Sequence, residues 1–202
     1  MNGQRMPVTM KVVLILILMV CGNLFSQNDA SGFPAAWFWP KYFDPFTGKP
    51  SPTLQLKDAA GLPLTGLQQK ILVLDFSCSW CSYCRERVAL NNALQKKYAL
   101  RGILVVGVLT SSNAVHELPH WLRELGLRYP AGTDPNRDNL RLWDAKFFPT
   151  YTVVDRSGIV RAAGLRPEYA EDFLDEYLRR EQASSNRITP AVTEAERRAP
   201  KR

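Results

Sequence analysis

Four residues, Cys81-Ser82-Tyr83-Cys84, preceded by Trp80 and by an apolar run over residues 71–76, constrain this chain more than any other feature. A short apolar run that stops just before such a motif predicts a buried strand handing over to a helix. The helix is predicted over residues 82–100, where Val88, Leu90, Leu94 and Tyr98 recur at helical spacing and Gly102 supplies the stop. A thiol at the start of that helix faces unpaired backbone N–H groups and the positive end of the dipole, which favour its thiolate. The second cysteine, three residues on, lies about one turn away on the same side, so the pair can close into a disulfide and reopen. With Cys81 exposed and Cys84 buried, Cys81 attacks a partner disulfide and Cys84 resolves the mixed disulfide.

A structural disulfide and part of a zinc site are the competing readings of the same spacing. Zinc wants four ligands, and the chain has one Cys-x-x-Cys pair, with Cys78 extending it to a triplet and with His116 and His120 far away in sequence. Cys78 itself reads as a small loop or core residue, with an alternative pairing of its sulfur left open. His116-Glu117-Leu118-Pro119-His120 satisfies the letters of a zinc-protease pattern. Pro119 is expected to break the helical turn that pattern needs and to begin the next helix, around residues 119–125, leaving both histidines on the surface or in a loop.

The stretch from about residue 52 to residue 178 resembles the thioredoxin superfamily, within it the extracytoplasmic TlpA-like thiol-disulfide oxidoreductases, some of which serve cytochrome c maturation. The resemblance rests on Trp80 and the Cys81–Cys84 motif after their strand, a second apolar strand over residues 103–109, and Phe148-Pro149-Thr150 leading into Val153-Val154-Asp155 and Gly158. It implies a thioredoxin-like α/β fold, a central mixed sheet flanked by helices. It also implies that Cys81 and Cys84 are the redox-active pair, that Pro149 is cis beside them, and that Phe148 and Pro149, flanked by Trp80, dock an extended substrate segment. No cofactor is implied. Protein thiols and disulfides are the implied substrates, and a reductase working outside the cytoplasm would need a membrane electron donor.

Asp75 is an ionisable residue inside an apolar strand, costly to bury without a partner, and burial should raise its pKa. It matches the buried aspartate that thioredoxins place behind the resolving cysteine as a proton relay, whereas TlpA-like proteins more commonly carry asparagine there and an acidic residue three after the second cysteine, here Arg87. Relay and structurally paired strand residue both remain open.

Around this domain the sequence divides further. Residues 1–30 carry Arg5 and Lys11 before an apolar run over residues 12–20, too short for a comfortable span and suited to a secretory leader, either cleaved, retained as a membrane tether, or lipidated at Cys21. This places the protein outside the cytoplasm, in the periplasm or on the outer face of the membrane. Residues 31–51 form an aromatic, proline-punctuated arm, read as folding back over the apolar surface of the domain in preference to a bilayer-facing patch. The domain occupies residues 52–180, with a last helix over residues 168–180, and residues 181–202 read as a disordered tail. Of the net charge of +7, the leader carries +1 and the tail +2, leaving +4 spread over residues 31–180, which argues against nucleic-acid binding.

The sequence therefore reads as an exported thiol-disulfide oxidoreductase acting as a reductase. Two alternatives stay in view. One is a peroxiredoxin-like peroxidase, although that family's Pro, Thr and Cys pattern is absent from residues 77–84. The other is a copper- or haem-handling module built on Cys78, Cys81 and Cys84.

Overall fold

A computed structural model describes residues 32–39, 46–61 and 67–198, with side chains described as far as residue 186. The leader, Cys21 and the arm residues Pro40, Tyr42, Phe43 and Pro45 lie outside the described residues. Six strands, β1 (Lys57–Ala60), β2 (Ile71–Ser77), β3 (Ile103–Leu109), β4 (Ala131–Thr133), β5 (Thr150–Val154) and β6 (Val160–Leu165), form one sheet in the order β1-β4-β3-β2-β5-β6. Strands β2, β3 and β4 run parallel, while β1, β5 and β6 add antiparallel neighbours. The sheet is mixed, and helices flank it, as the sequence led us to expect.

Strands β2 and β3 read as continuous apolar runs because both of their faces are covered. On one face Ile71, Val73 and Val105 join Val88, Leu94 and Tyr98 of helix α1 (Ser82–Tyr98), Leu118 and Trp121 of α2 (Ala114–Arg123), and Phe173 and Leu174 of α4 (Ala170–Arg198). On the other, Leu74, Phe76, Val106 and Val108 pack with Trp143, just after the short α3 (Asp138–Leu142). The path β2-α1-β3-α2-β4 crosses the sheet in one direction, and right-handed crossovers put α1 and α2 on a common face.

Three sequence expectations need correction. The buried stripe of α1 is Cys84, Val88, Asn91, Leu94 and Tyr98, so Asn91 takes the place that spacing had given to Leu90, which is half-buried. Pro119 lies inside α2 instead of starting a helix. It deprives the carbonyl of Val115 of a donor, but Val115 is exposed and Pro119 half-buried, so water can replace the lost bond. Finally, α4 runs on to Arg198, through the segment read as a disordered tail. Glu181, Gln182 and Ala183 are good helix formers, Ser184 and Ser185 bond back to the carbonyls of Arg180 and Glu181, and Arg156 pairs with Glu181 at 2.5 Å.

The arm is seated on this body. Phe38 bridges to Leu165 of the edge strand β6, the Trp39 backbone N–H donates to the carbonyl of Gly164, and Phe33 lies 4.3 Å ring to ring from Phe173 with the Arg180 guanidinium 4.1 Å from its ring centroid. Phe33 is only 3% exposed, so truncating it opens a cavity in the main core. Phe33→Ala should lower the free energy of unfolding by about 3 kcal/mol, seen as a lower denaturant midpoint at unchanged slope. A loss below about 0.5 kcal/mol, the level of an ordinary surface substitution, would mean that the arm is not packed there.

Candidate active site

Register brings the site together. Antiparallel pairing of β2 with β5 sets Phe76 opposite Thr150, so the bend just before β5 arrives beside the end of β2, where the chain turns into α1. The Phe148–Pro149 bond in that bend is cis. Cys81 is the N-cap of α1: its backbone is extended, and its sulfur accepts the backbone N–H of Cys84 at 3.2 Å. The same sulfur lies 3.8 Å from the carbonyl oxygen of Phe148, to which its S–H can donate. Cys81 is half-buried, whereas Cys84 is 1% exposed behind it.

The other residues singled out by sequence fall into the same neighbourhood. Trp80 is 71% exposed and meets Phe148 edge-on, with ring centroids 5.9 Å apart. Pro149 is buried, and its carbonyl accepts the indole N–H of Trp39 at 3.2 Å, so the arm braces the bend. Trp39 also stacks on Phe147. This contribution from the arm had no signal in the sequence beyond the density of its aromatics.

Asp75 is 1% exposed on the α1 side of β2 and is held by a polar network inside the apolar core. Ser77 Oγ donates to its Oδ1 at 2.7 Å, and Asn91 Nδ2 and Tyr129 Oη donate to its Oδ2 at 2.8 and 3.3 Å. Tyr151 in turn donates to Asn91 Oδ1. Sequence reasoning missed Ser77, Asn91, Tyr129 and Tyr151. Asn91 alone had a local signal, a polar residue seven after Cys84 in the apolar stripe of α1; the tyrosines come from distant strands and loops. Gly107 leaves room for the network, since a Cβ there would stand 3.2 Å from the Tyr129 ring.

Burial dominates the electrostatics. It lifts the Asp75 carboxyl from its ordinary 3.8 to about 6, against the opposing hydrogen bonds from Ser77, Tyr129 and Asn91. Burial also holds Tyr129 and Tyr151 protonated, with the Asp75 charge reinforcing it, so both remain donors. The Cys81 thiol is pushed up to about 11, chiefly by burial, and the backbone N–H groups of Cys84 and Tyr83 only partly offset this. The helix N-terminus therefore pulls in the expected direction but is outweighed. Cys84 is driven up further, by its hydrogen bond with Cys78 and then by burial, with the Asp75 charge adding to it.

Cys78, wholly buried at the end of β2, has its sulfur close to both members of the pair: the three sulfurs all lie within 4.8 Å of one another. Among the described residues this is the one cluster of three metal-ligating side chains. His116 and His120, placed one turn apart on α2 by the interior position of Pro119, are exposed, and Glu117 between them accepts from Ser111 Oγ at 2.8 Å. The zinc-protease pattern thus acquires its helix, but among the described residues it gains no third ligand.

This arrangement can be set beside known proteins. Residues 47–163, more than half of the chain, match the AhpC/TSA family. The chain belongs to the AhpC/TSA family. It is 26% identical over 117 residues to the thiol-disulfide oxidoreductase ResA of Bacillus subtilis (strain 168), a match that takes in 56% of this chain and 64% of ResA. Among solved structures, a domain of a "possible thiol-disulfide isomerase" from Cytophaga hutchinsonii superposes with a TM-score of 0.57 at 22% identity, over 68% of this chain and 97% of that one. The thioredoxin domain of a thiol-disulfide oxidoreductase from Bacteroides vulgatus gives 0.50 at 19% identity, over 61% and 95%. The fold is thioredoxin-like.

The raised Asp75 carboxyl has a measurable consequence for stability. Between 3.8 and about 6 the folded chain keeps a proton that the unfolded chain has lost. Stability is therefore fullest below the lower value and falls as pH rises, and the whole penalty, about 3 kcal/mol, is in place above the upper one. Urea unfolding of the reduced protein should show a midpoint that drops between about pH 4 and about pH 7, and the drop should shrink in Asp75→Asn. An equal drop in both proteins would assign it to other groups.

Proposed function

We propose that this protein is an exported thiol-disulfide oxidoreductase that reduces disulfides in protein clients through Cys81 and Cys84. The observation that carries the reading is the pairing of a reachable sulfur with a hidden one: Cys81 caps α1 beside the cis Phe148–Pro149 bend, and Cys84 lies buried one turn behind it.

In the forward direction the Cys81 thiolate attacks one sulfur of a client disulfide. A Cys81–client disulfide forms, the client's other sulfur leaves as a thiolate, and solvent protonates it. Cys84 then loses its proton, with Asp75 as the acceptor acting through the interior of the site, and attacks the Cys81 sulfur. The client departs as a dithiol, two electrons richer, and the enzyme is left with a Cys81–Cys84 disulfide. A carboxyl near 6 is mostly ionised at neutral pH and can take that proton. Phe148, in the bend fixed by Pro149, presents backbone to an extended client segment, and the exposed face of Trp80 offers apolar surface beside the attacking sulfur.

The reductase direction is supported by the thiols themselves. A strong oxidant stabilises its reduced form by lowering the pKa of the attacking cysteine, whereas here burial pushes Cys81 up to about 11. The pair therefore lacks the feature that marks a strong oxidant; a reductase must be recharged, and a membrane electron donor is the partner we propose for that step. The basic, apolar leader supports a location outside the cytoplasm, with or without a membrane tether.

Trapping tests the roles. With Cys84→Ser, and Cys78→Ala added so that no other buried thiol can release the adduct, Cys81 should accumulate mixed disulfides with clients in the exporting cell, and Cys81→Ser should accumulate none. Adducts on Cys84 in the Cys81→Ser protein would reverse the assignment. In the otherwise intact enzyme, Asp75→Asn should slow release of a preformed Cys81 adduct at neutral pH by about tenfold or more while leaving the first attack unchanged. An unaltered release rate would return Asp75 to a purely structural part. Fast peroxide consumption that survives loss of Cys84 would favour the peroxidase alternative.

A further inference from the structure

Cys84 is not committed to a single partner by its surroundings. The Cys78 sulfur is wholly buried, lies within 4.8 Å of both other sulfurs, and hydrogen-bonds Cys84. Its backbone is tied to the motif as well, since the Cys78 carbonyl accepts the N–H of Cys81 at 3.3 Å. A disulfide needs its sulfurs about 2.05 Å apart, so sulfurs within 4.8 Å of one another must draw closer by side-chain rotation at the strand end and in the first turn of α1. No cation, carboxylate or hydroxyl separates the sulfurs in the hydrogen bonds described at the site; their polar contacts are with one another and with the adjacent backbone.

We infer that Cys78 is a third exchanging thiol, which takes over Cys84 from Cys81 and so returns a free nucleophile to the surface of an oxidised chain. This rests on the thiol-exchange reading and extends it. The step is an isomerisation. In the chain bearing a Cys81–Cys84 disulfide, the Cys78 thiolate attacks the Cys84 sulfur, the Cys78–Cys84 bond forms, the Cys81–Cys84 bond breaks, and Cys81 leaves as a thiolate that picks up the proton Cys78 gave away. Electrons balance without any outside oxidant or reductant. The share of each pairing is therefore independent of the ambient redox potential and depends only on the relative strain and environment of the two disulfides.

The consequence is a second mode of action. An enzyme with two cysteines has no attacking thiol once oxidised. This chain, oxidised between Cys78 and Cys84, still presents Cys81 beside Trp80 and the Phe148–Pro149 bend, able to open a client disulfide and be displaced by another client cysteine. That is net rearrangement of client disulfides, with no electrons consumed.

The test uses the full chain with Cys21→Ser, so that the thiols followed are those of the cluster. The protein is oxidised with diamide to one disulfide per chain, quenched in acid, and its remaining thiol is labelled in denaturant and located by peptide mass mapping. We expect Cys81 to carry the label in at least about one chain in ten, which places the two pairings within about 1.4 kcal/mol. Label on Cys78 alone would overturn the inference while leaving Cys81–Cys84 exchange intact; a chain that forms no internal disulfide at all would take the exchange reading down with it. Cys81→Ser provides the second measurement. Diamide should remove both of its cluster thiols within a monomer, and survival of both would overturn the inference even if the other variant were poorly folded.

Discussion

The register of β2 against β5 is the constraint on which everything at the site depends. It sets Phe76 opposite Thr150, and thereby delivers the cis Phe148–Pro149 bend to the end of the strand that launches α1. A slip by one residue would turn each side chain of β2 to the opposite face. Asp75 would then leave Asn91 and Tyr129, Phe76 and Leu74 would leave the Trp143 cluster, and the bend would no longer face the Cys81 sulfur. The apolar pattern on both faces of β2 makes that slip expensive, so the packing of the core and the placement of the chemistry are one problem with one solution.

Against this apolar background the chain maintains a buried carboxylate, two phenols and an amide. Ionised Asp75 costs stability at neutral pH, and three donors recover only part of the loss. A pairing of that kind is retained more easily where it does something besides holding the strand. Here the carboxylate adds to the rise in the pKa of Cys84, and in the reaction we propose it receives that cysteine's proton when the mixed disulfide is resolved. The arm adds a second support from a different part of the chain: Trp39 bonds the carbonyl of Pro149, and Phe33 and Phe38 close the core beneath it.

Much of this was legible in the sequence because it is local. The strand and helix around Cys81 and Cys84 and the strand Ile103–Leu109 are marked by runs, periodicity and glycine within a few residues. What escaped is what distant segments supply. Tyr129 and Tyr151 approach Asp75 only through the topology of the sheet. Trp39 reaches Pro149 across more than a hundred residues. Proline rules misplaced the start of α2, because an exposed helix face tolerates a missing bond, and composition hid the continuation of α4, where the hydroxyls of Ser184 and Ser185 donate to carbonyls one turn back within the helix. The favouring of the Cys81 thiolate by its helix was read correctly in sign but not in outcome, since the depth of the sulfur beneath the bend is a tertiary property.

The central claim is that Cys84 and its neighbouring sulfurs form a reversible two-electron couple. Equilibration of the folded protein in mixtures of reduced and oxidised dithiothreitol, followed by acid quenching, alkylation and mass analysis, measures that directly. The account predicts one transition between a fully alkylated chain and a chain that has lost two labels, following the two-electron slope of about 30 mV per decade. Cluster cysteines that stay alkylated across the whole range, or that can be oxidised but not reduced again, would contradict it.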